Sequence, residues 1–514
     1  MKRPQLISPG SLNRMLQAAN EAWRRGDFQQ CFEQLERASQ LDPANSGILL
    51  QLGMWYGLRY EYAAAERCFE KAVRVAPRKI EVLATAGQIS VDFASHTLAE
   101  RYFQRALQQK DASPEIFARL AELYERLRRT EDASKLVDQA LQLDANCALA
   151  RLARARLNRQ AGLLEDAERV LRPILVSAGR EIRIRGHYEL GTILDRQGRY
   201  DEAMTAFLEA KTLLTPDAPP FLANLRLIRD HLKQMQTDLS AEMLQRWFDS
   251  GQMLQPPRRL AFLCGNARSG TTLLEQMLDS HPDIISAEET TVFHDYAYAP
   301  LRRSLPQETP MLSGLDAAQI GALQQSRERY FRSTELFLGQ PIGNRLLIDK
   351  NPSISVLIPA FIRIFPETKL LVALRDPRDV CLSCFMLAHL PINDASVSYL
   401  NLESTVESYT RVMGIWRAIA PLIKNPHLEV RYEDVVDNLE SVSRKVLNFL
   451  GVPWDARVLG FDEHARQKRV RSPTYADVTQ PVYKRAVGRW RNYQKYLEPH
   501  LAKLEPFVKA FGYE

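Results

Sequence analysis

The stretch Arg259–His281 (RLAFLCGNARSGTTLLEQMLDSH) decides the fold of the second half of the chain. Its first six residues are a short apolar run, which predicts a buried strand. A loop with glycines at 265 and 270 follows and leads directly into a helical pattern. The start of a helix offers unpaired backbone N–H groups and the positive end of the helix dipole. The stretch therefore predicts an anion-binding turn between a strand and a helix.

The loop differs from a nucleotide P-loop in the position of its basic residue. Gly265 and Gly270 have the G-x-x-x-x-G spacing of a P-loop, but Thr271 stands where the P-loop lysine is expected. The basic residue lies inside the loop, at Arg268, and Thr271 and Thr272 supply hydroxyl donors. An ATPase or kinase uses the missing lysine on the β- and γ-phosphates. The loop therefore disfavours ATP hydrolysis and favours a phosphate that is not part of a triphosphate.

A second strand-like run, Lys369–Leu374 (KLLVAL), ends at Arg375 and leads into another helical pattern. Ser383 lies eight residues after the arginine, about two turns into that helix. An arginine at the carboxyl end of a strand and a serine on the following helix are suited to clamp a second phosphate. The alternative is a surface Arg–Asp ion pair with Ser383 merely packed, and this run by itself leaves both interpretations open.

The first half of the chain repeats every 34 residues, as the spacing of Pro43 and Pro77 shows. A period of this length is typical of helix pairs that stack into a superhelix. The pattern resembles the tetratricopeptide repeat and predicts an all-α solenoid of six units over residues 12–217, with a capping helix and linker over 218–257. Small and large apolar residues recur in phase, namely Ala38, Ala72, Ala106 and Ala140, with Leu35, Phe69, Phe103 and Val137. We expect a concave groove that binds a protein or peptide partner; the alternative is a scaffold that only holds the second half.

Composition excludes several classes of protein. With 45% hydrophobic and 25% charged residues, the 514-residue chain is typical of a folded multidomain protein. A net charge of +6 over this length permits an anionic ligand but predicts no nucleic-acid partner. No apolar run is long enough to span a membrane, so we expect a cytoplasmic protein. Six cysteines cannot form a dense disulfide framework, and the C-x-x-C of Cys381 and Cys384 is interpreted as packed residues rather than a redox or metal pair.

The two predicted phosphate-binding sites together resemble those of the sulfotransferases that use PAPS (3′-phosphoadenosine 5′-phosphosulfate). The loop 266–272 is similar to that family's 5′-phosphosulfate loop, and Arg375 with Ser383 matches its 3′-phosphate site. The resemblance spans about residues 258–500 and implies a P-loop-like α/β domain with a parallel sheet over 258–514. Three further stretches fit the protein-tyrosine sulfotransferase branch, namely Leu278–Ile284 (LDSHPDI), Ala287–Thr290 (AEET) and Asp349–Pro352 (DKNP).

The resemblance also implies roles for individual residues. Glu289 matches the base that takes the acceptor's proton, with Glu288 as the alternative and a solvated glutamate pair as the structural interpretation. Lys350 matches a lysine that stabilises charge on the transferring sulfuryl group, unless it is a surface lysine, and Arg268 would hold the leaving phosphate. The implied donor-binding residues are Arg268, Ser269, Gly270, Thr271, Thr272, Arg375, Ser383, Tyr432, Ser472 and Arg489. Arg485 is an alternative to Arg489, and Tyr432 is otherwise a core aromatic.

The expected function is PAPS-dependent transfer of a sulfuryl group to an acceptor hydroxyl, best assigned to a protein tyrosine, without a metal. One departure affects the acceptor, because Thr291 stands where the tyrosine branch has an arginine that helps to hold an acidic peptide. A glycan or small hydroxyl compound is therefore an alternative acceptor, and a non-catalytic adaptor is the alternative function. A homodimer is also possible.

Overall fold

The computed structural model describes residues 9–24, 27–303, 305–306, 308–388, 390–467 and 482–513. The chain divides into two compact units, Met1–Ala178 and Gly179–Glu514. Each unit is described by itself below.

The first unit consists of helices that pack as successive antiparallel pairs. The glycines and alanines of the repeat pattern lie where the helices cross, and a Cβ added to Gly53 would come within 2.4 Å of the Phe69 ring. Ala65, Ala72 and Phe69 are fully buried. This packing confirms the expected tetratricopeptide-type repeats. The helices are Pro9–Arg24, Phe28–Leu41, Ser46–Leu58, Tyr62–Val75, Lys79–Asp92, His96–Leu107, Pro114–Arg126, Thr130–Leu143, Ala148–Gln160, Leu164–Leu171 and Ile174–Ser177.

The second unit opens with one more helix pair of the repeat type, Arg180–Arg196 and Tyr200–Leu214. A Cβ added to Gly191 would lie 2.7 Å from the Phe207 ring, which is the same close crossing as at Gly53. The pair nevertheless clusters with the residues that follow it and not with the first unit. We therefore call it the docked helix pair. The helices Pro219–Asp238 and Ala241–Gly251 lead from it into the α/β region.

Five parallel strands form the sheet of the second unit: β1 (Leu260–Gly265), β2 (Ile284–Glu288), β3 (Leu346–Lys350), β4 (Lys369–Leu374) and β5 (His427–Arg431). Their order is β2-β3-β1-β4-β5. The chain leaves β1 toward one edge and leaves β4 toward the other, so these neighbouring strands form a topological switch point. Ligands of open parallel sheets bind at the carboxyl ends of strands at such a point. The expected α/β domain with a parallel sheet is confirmed, and both predicted phosphate-binding sites lie at its switch point.

Helices cover the sheet and complete its core. The apolar strand residues Leu263 and Leu371 are fully buried beneath them. Among the described helices, none is both long and apolar enough to cross a membrane. The helices are Thr271–Asp279, Ala299–Arg302, Met311–Asp316, Ile320–Leu338, Ile358–Ile364, Pro377–Phe385, Leu402–Ile419, Tyr432–Asp437, Leu439–Leu450, Phe461–Gln467, Gln494–Leu497 and Leu501–Ala510. Shorter 3-10 or π-helical segments are Thr215–Asp217, Phe293–Tyr298, Pro352–Leu357, Ser396–Leu400, Ala456–Gly460, Arg489–Tyr493 and Glu498–His500.

Candidate active site

The loop after β1 is held tightly against β4. Gly265 has a φ of +130°, and a Cβ on it would lie 2.4 Å from the carbonyl oxygen of Ala373. The buried hydroxyl of Ser355 accepts a hydrogen bond from Gly265 N at 3.0 Å and donates one to Gly265 O at 2.6 Å. Only glycine fits this position, because any side chain would collide with β4. Ser355 was not identified from the sequence, since its partner lies ninety residues away in the chain.

Arg268 and Arg375 connect the two predicted phosphate-binding sites, the loop after β1 and the residues that follow β4. The Nε atom of Arg268 donates to the Ser383 hydroxyl at 2.9 Å, and Arg375 donates to the carbonyl oxygen of Arg268 at 3.2 Å. Arg375 is only 7% exposed, and its Nε atom has no hydrogen-bond partner within the described part of the chain. A buried guanidinium N–H without a partner is costly. This open donor is therefore suited to an incoming anion.

The start of the helix after the loop is buried and adjoins an aromatic ring. Ser269, Thr271 and Thr272 are each less than 8% exposed. Gly270 has a φ of +89°, and a Cβ on it would lie 2.7 Å from the Tyr432 ring. The guanidinium of Arg375 lies 5.1 Å from the centre of the same ring. The half-buried Tyr432 thus lies against the loop and beside Arg375, a position compatible with the donor-binding role that the resemblance implies.

Two residues with strained backbone lie at this edge of the sheet. In the described part of the second unit, the non-glycine residues with positive φ are Arg268 (+70°) and Glu289 (+48°). The backbone N–H of Glu289 donates to the carbonyl oxygen of Lys350 at 2.7 Å, which holds the turn after β2 against the end of β3. A non-glycine residue in this region costs on the order of 1–3 kcal/mol, and such residues concentrate at functional sites.

Lys350 lies between two carboxylates at the ends of β2 and β3. Its Nζ atom is 2.7 Å from Oε1 of Glu289, 3.4 Å from Oε1 of Glu288 and 3.4 Å from Oγ1 of Thr272. The Lys350 side chain is fully buried, which excludes a surface lysine. The Glu288 side chain is 3% exposed and that of Glu289 is 30% exposed. Glu289 is therefore the carboxylate that a bound acceptor is better able to reach.

Burial opposes a charge on Lys350, but the carboxylates of Glu289, Glu288 and Glu275 outweigh it and raise the pKa of the lysine. The ammonium form is therefore retained at neutral pH. The buried Glu275 was not identified from the sequence; it accepts hydrogen bonds from Ser286 and from Gln276. The cluster combines a fixed cation with an accessible carboxylate, which is suited to charge stabilisation and proton transfer at one point.

Asp349 occupies the position before Lys350 on β3 and points to the opposite face of the sheet. The Tyr330 hydroxyl donates to its Oδ2 atom at 2.7 Å, and its Oδ1 atom has no hydrogen-bond partner among the described residues. Burial raises the pKa of Asp349 from its ordinary value of 3.8 to about 7. Its carboxyl group is therefore protonated in the folded chain over a range where it ionises in the unfolded chain.

This difference predicts a pH dependence of stability. Between pH 3.8 and about 7 the folded chain keeps a proton on Asp349 that the unfolded chain loses. The contribution of Asp349 to the free energy of unfolding therefore falls as pH rises, by up to about 1.4 kcal/mol per pH unit. Asp349→Asn, which keeps an acceptor for Tyr330, should remove this slope. Thermal unfolding of both proteins at pH 5, 6 and 7 tests the expectation. Identical pH slopes for the two proteins would contradict it.

The remaining candidates are distributed as follows. Arg489 pairs with Asp195 of the docked helix pair, with Nη2 at 2.9 Å and Nε at 3.2 Å, so its guanidinium is already engaged by a carboxylate. The Arg485 guanidinium lies 4.0 Å from the Tyr483 ring centre. Ser472 lies outside the described residues. Asp195 was missed because nothing local links it to a residue almost three hundred positions away.

The C-x-x-C cysteines are both buried. The Cys384 thiol lies 3.5 Å from the carbonyl oxygen of Ala267 and 3.7 Å from Nδ2 of Asn266, so it supports the loop after β1. Burial raises the pKa of the Cys384 thiol to about 11. This favours the interpretation of the pair as packed residues.

Comparison with known families agrees with this geometry. Residues 261–456 match the sulfotransferase family, and residues 95–157 and 184–213 match tetratricopeptide repeats. The second repeat match falls on the docked helix pair. The chain thus combines a domain that matches the sulfotransferase family with tetratricopeptide repeats, as the sequence predicted.

Several curated proteins are similar to this chain in sequence. An uncharacterized protein of Aquifex aeolicus is 23% identical over 340 residues, covering 64% of this chain and 42% of that protein. Protein-tyrosine sulfotransferase 1 of Danio rerio is 24% identical over 264 residues, covering 50% of this chain and 72% of that protein. Protein-tyrosine sulfotransferase of Drosophila melanogaster is 28% identical over 274 residues, covering 50% of this chain and 52% of that protein. For the Aquifex and Drosophila proteins, the match spans only about half of the relative's length.

Proposed function

We propose that this chain is a PAPS-dependent sulfotransferase that transfers a sulfuryl group to the hydroxyl of a protein tyrosine. The observation that supports this most is the convergence of Arg268, Arg375, Lys350 and Glu289 at the carboxyl ends of neighbouring parallel strands. These residues supply an anion-binding loop, a buried clamp, a fixed cation and an accessible carboxylate. An in-line displacement at sulfur can use each of these parts to position the donor, stabilise charge and accept the proton.

In this proposal each of the two predicted phosphate-binding sites holds one phosphate of PAPS. The loop 268–272 and the start of its helix would hold the 5′-phosphate, which is the leaving group. Arg375 and Ser383 would hold the 3′-phosphate, for which the partnerless Nε of Arg375 is an available donor. Tyr432 would pack beside the nucleotide. Arg489 and Ser472 stay proposed donor-binding residues, with Arg489 sharing its guanidinium between the nucleotide and Asp195, its partner in the structure.

The reaction forms one bond and breaks one. The acceptor oxygen attacks sulfur while the bond between sulfur and the bridging oxygen of the 5′-phosphate breaks. Glu289 accepts the proton that the acceptor hydroxyl loses, and the nucleotide leaves as 3′,5′-adenosine bisphosphate (PAP). Lys350 and Arg268 neutralise the charge that develops on the sulfuryl and bridging oxygens, which is the dominant contribution expected for transfers of this type.

Tyrosine is the proposed acceptor because curated relatives from two animals are named for that activity. Thr291 favours a second candidate, a glycan or small hydroxyl compound, since it replaces the arginine expected for an acidic peptide. Incubating the protein with sulfur-labelled PAPS and separate pools of tyrosine peptides, glycans and phenols tests both. Label on peptide tyrosine supports the proposal, label only on another pool supports the second candidate, and label on none contradicts the enzyme assignment.

We also propose that the repeats of the first unit bind a protein partner, since stacked repeats of this type form extended binding surfaces. In this proposal the repeats select the protein that the second unit modifies.

Arg375→Ala should weaken PAP binding by roughly 10- to 100-fold, because it removes a buried, charged hydrogen-bond donor from the anion site. The matched control is Arg378→Ala, since Arg378 follows the same strand but pairs with Asp376 and with the carbonyl of Tyr513. Isothermal titration with PAP measures both variants. Equal affinity of Arg375→Ala and the unmodified protein would contradict the clamp.

A further inference from the structure

A short C-terminal segment, residues 486–493, lies on the residues that follow β4; we call it the strap. Arg375 donates to the carbonyl oxygen of Ala486 at 2.5 Å. Two backbone N–H groups of the strap, at Gly488 and Trp490, each donate to the carboxylate of Asp379 at 2.7 Å. The strap is therefore attached to the clamp arginine and to the first turn of the helix that carries Ser383.

The opposite side of the strap is attached to the docked helix pair through Asp195. The two oxygens of this carboxylate accept from Nη2 of Arg489 at 2.9 Å and from Nε at 3.2 Å, and the Tyr493 hydroxyl donates at 2.6 Å. The Tyr493 ring also meets the Tyr200 ring edge-on, with centroids 5.4 Å apart. A bidentate arginine–carboxylate pair fixes orientation as well as distance, so Asp195 determines where the strap lies.

The placement of Asp195 is unfavourable for its own helix. It lies in the last turn of Arg180–Arg196, next to the negative end of the helix dipole. Its side chain is only 15% exposed. A partly buried carboxylate at a helix C-terminus needs partners from outside its helix, which here are the Arg489 guanidinium and the Tyr493 hydroxyl. This pair therefore connects the docked helix pair to the strap.

The second helix of the docked pair touches the same region from another direction. Lys211 is 4% exposed, and its Nζ atom lies 4.9 Å from the ring centre of Phe385 and 5.2 Å from that of Tyr188. Phe385 ends the helix that carries Ser383. Both helices of the docked pair thus contact elements that position the donor clamp.

We propose that Asp195 is a positioning residue for the donor nucleotide. By holding Arg489 and Tyr493, it keeps the strap on Arg375 and Asp379 and so keeps the clamp arginine oriented for the 3′-phosphate. The docked helix pair thereby contributes a positioning residue to the nucleotide site of the sulfotransferase domain. This inference rests on the proposed function, because it concerns the site assigned to PAP.

The test is the full chain carrying Asp195→Asn, titrated with PAP. We expect the Kd to rise roughly 10-fold, because one charge-assisted pair that orders the strap is lost. The KM for PAPS should rise by the same factor, while kcat and the KM for the acceptor should change little. The matched control is Asp201→Asn on the docked pair, because Asp201 bonds Lys495 and Tyr496 beyond the strap. It should change the PAP Kd less than about 2-fold, as expected for an exposed ion pair.

Hydrogen exchange of the unliganded protein gives a readout that does not depend on PAP. Asp195→Asn should speed exchange in peptides covering residues 486–493 and leave peptides from β1 and β4 unchanged. If Asp195→Asn unfolds, Tyr493→Phe removes a single bond to Asp195 and should raise the Kd a few-fold.

The outcomes separate the two proposals. PAP bound equally well by the unmodified protein and Asp195→Asn would overturn the positioning role and leave the proposed function standing. A reduced fraction of binding-competent protein with an unchanged Kd would also overturn it, because that result indicates a purely structural role. Failure of the unmodified protein to bind PAP would overturn the proposed function, and the positioning role with it.

Discussion

Glu289→Gln should lower kcat for sulfuryl transfer by about 10²–10³-fold while PAP binding stays within about 2-fold of that of the unmodified protein. The amide keeps the size of the side chain and can still accept from Lys350, which lies 2.7 Å from Oε1. It cannot take the acceptor's proton. The measurement is kcat with PAPS and the acceptor pool that takes label, alongside a PAP titration.

The matched control is Glu288→Gln. Glu288 contacts the same lysine at 3.4 Å but is almost fully buried, so an acceptor hydroxyl has little access to it. We expect Glu288→Gln to lower kcat by less than about 10-fold, because it changes only the charge beside Lys350 and removes no group that takes the proton. The reverse order of the two effects would assign the base to Glu288, and full activity of both variants would remove the carboxylate base from the mechanism.

Lys350→Met should lower kcat by about 10²–10³-fold, because it removes a preorganised cation from the reacting centre. It should also destabilise the second unit by about 3–5 kcal/mol, because the buried carboxylate of Glu288 then loses the cation beside it. Lys350 is fully buried and Glu288 is 2% exposed, so water cannot replace the lost contact. Denaturant unfolding and kcat are the two measurements.

A double variant separates these two effects. Lys350→Met combined with Glu288→Gln also removes the buried charge of Glu288 and should recover most of the stability, yet its kcat should stay low. Recovery of both stability and turnover in the double variant would show that Lys350 acts only through folding. Loss of neither in Lys350→Met would contradict the assignment of the cation.

The sequence predicted those parts of the site that depend on neighbours in the chain. The strand, loop and helix of Arg259–His281 were predicted correctly, because apolar runs, glycines and helical periodicity act over a few residues. The small residues of the repeats were predicted for the same reason, since a fixed period forces the same crossing in each unit. The parallel sheet came from the family resemblance, and the observed strand pairing agrees with it.

Other features became visible only in the structure. The spacing of Glu288, Glu289 and Lys350 in the sequence does not show that the lysine is fully buried between the two carboxylates, which depends on β2 pairing with β3. The family resemblance assigned Arg489 to the nucleotide, which stays a prediction; the pairing of Arg489 with Asp195 became visible only in the structure.

By itself, then, the sequence determined the strand, loop and helix of Arg259–His281 and the period of the repeats, because backbone preference and hydrophobic periodicity are local properties. Only the tertiary structure decided that the last repeat-type helix pair packs with the sulfotransferase domain and that its Asp195 holds the strap. The physical reason is that ion pairs and burial depend on distance in space. Residues far apart in the chain, such as Asp195 and Arg489, come into contact only in the folded tertiary structure.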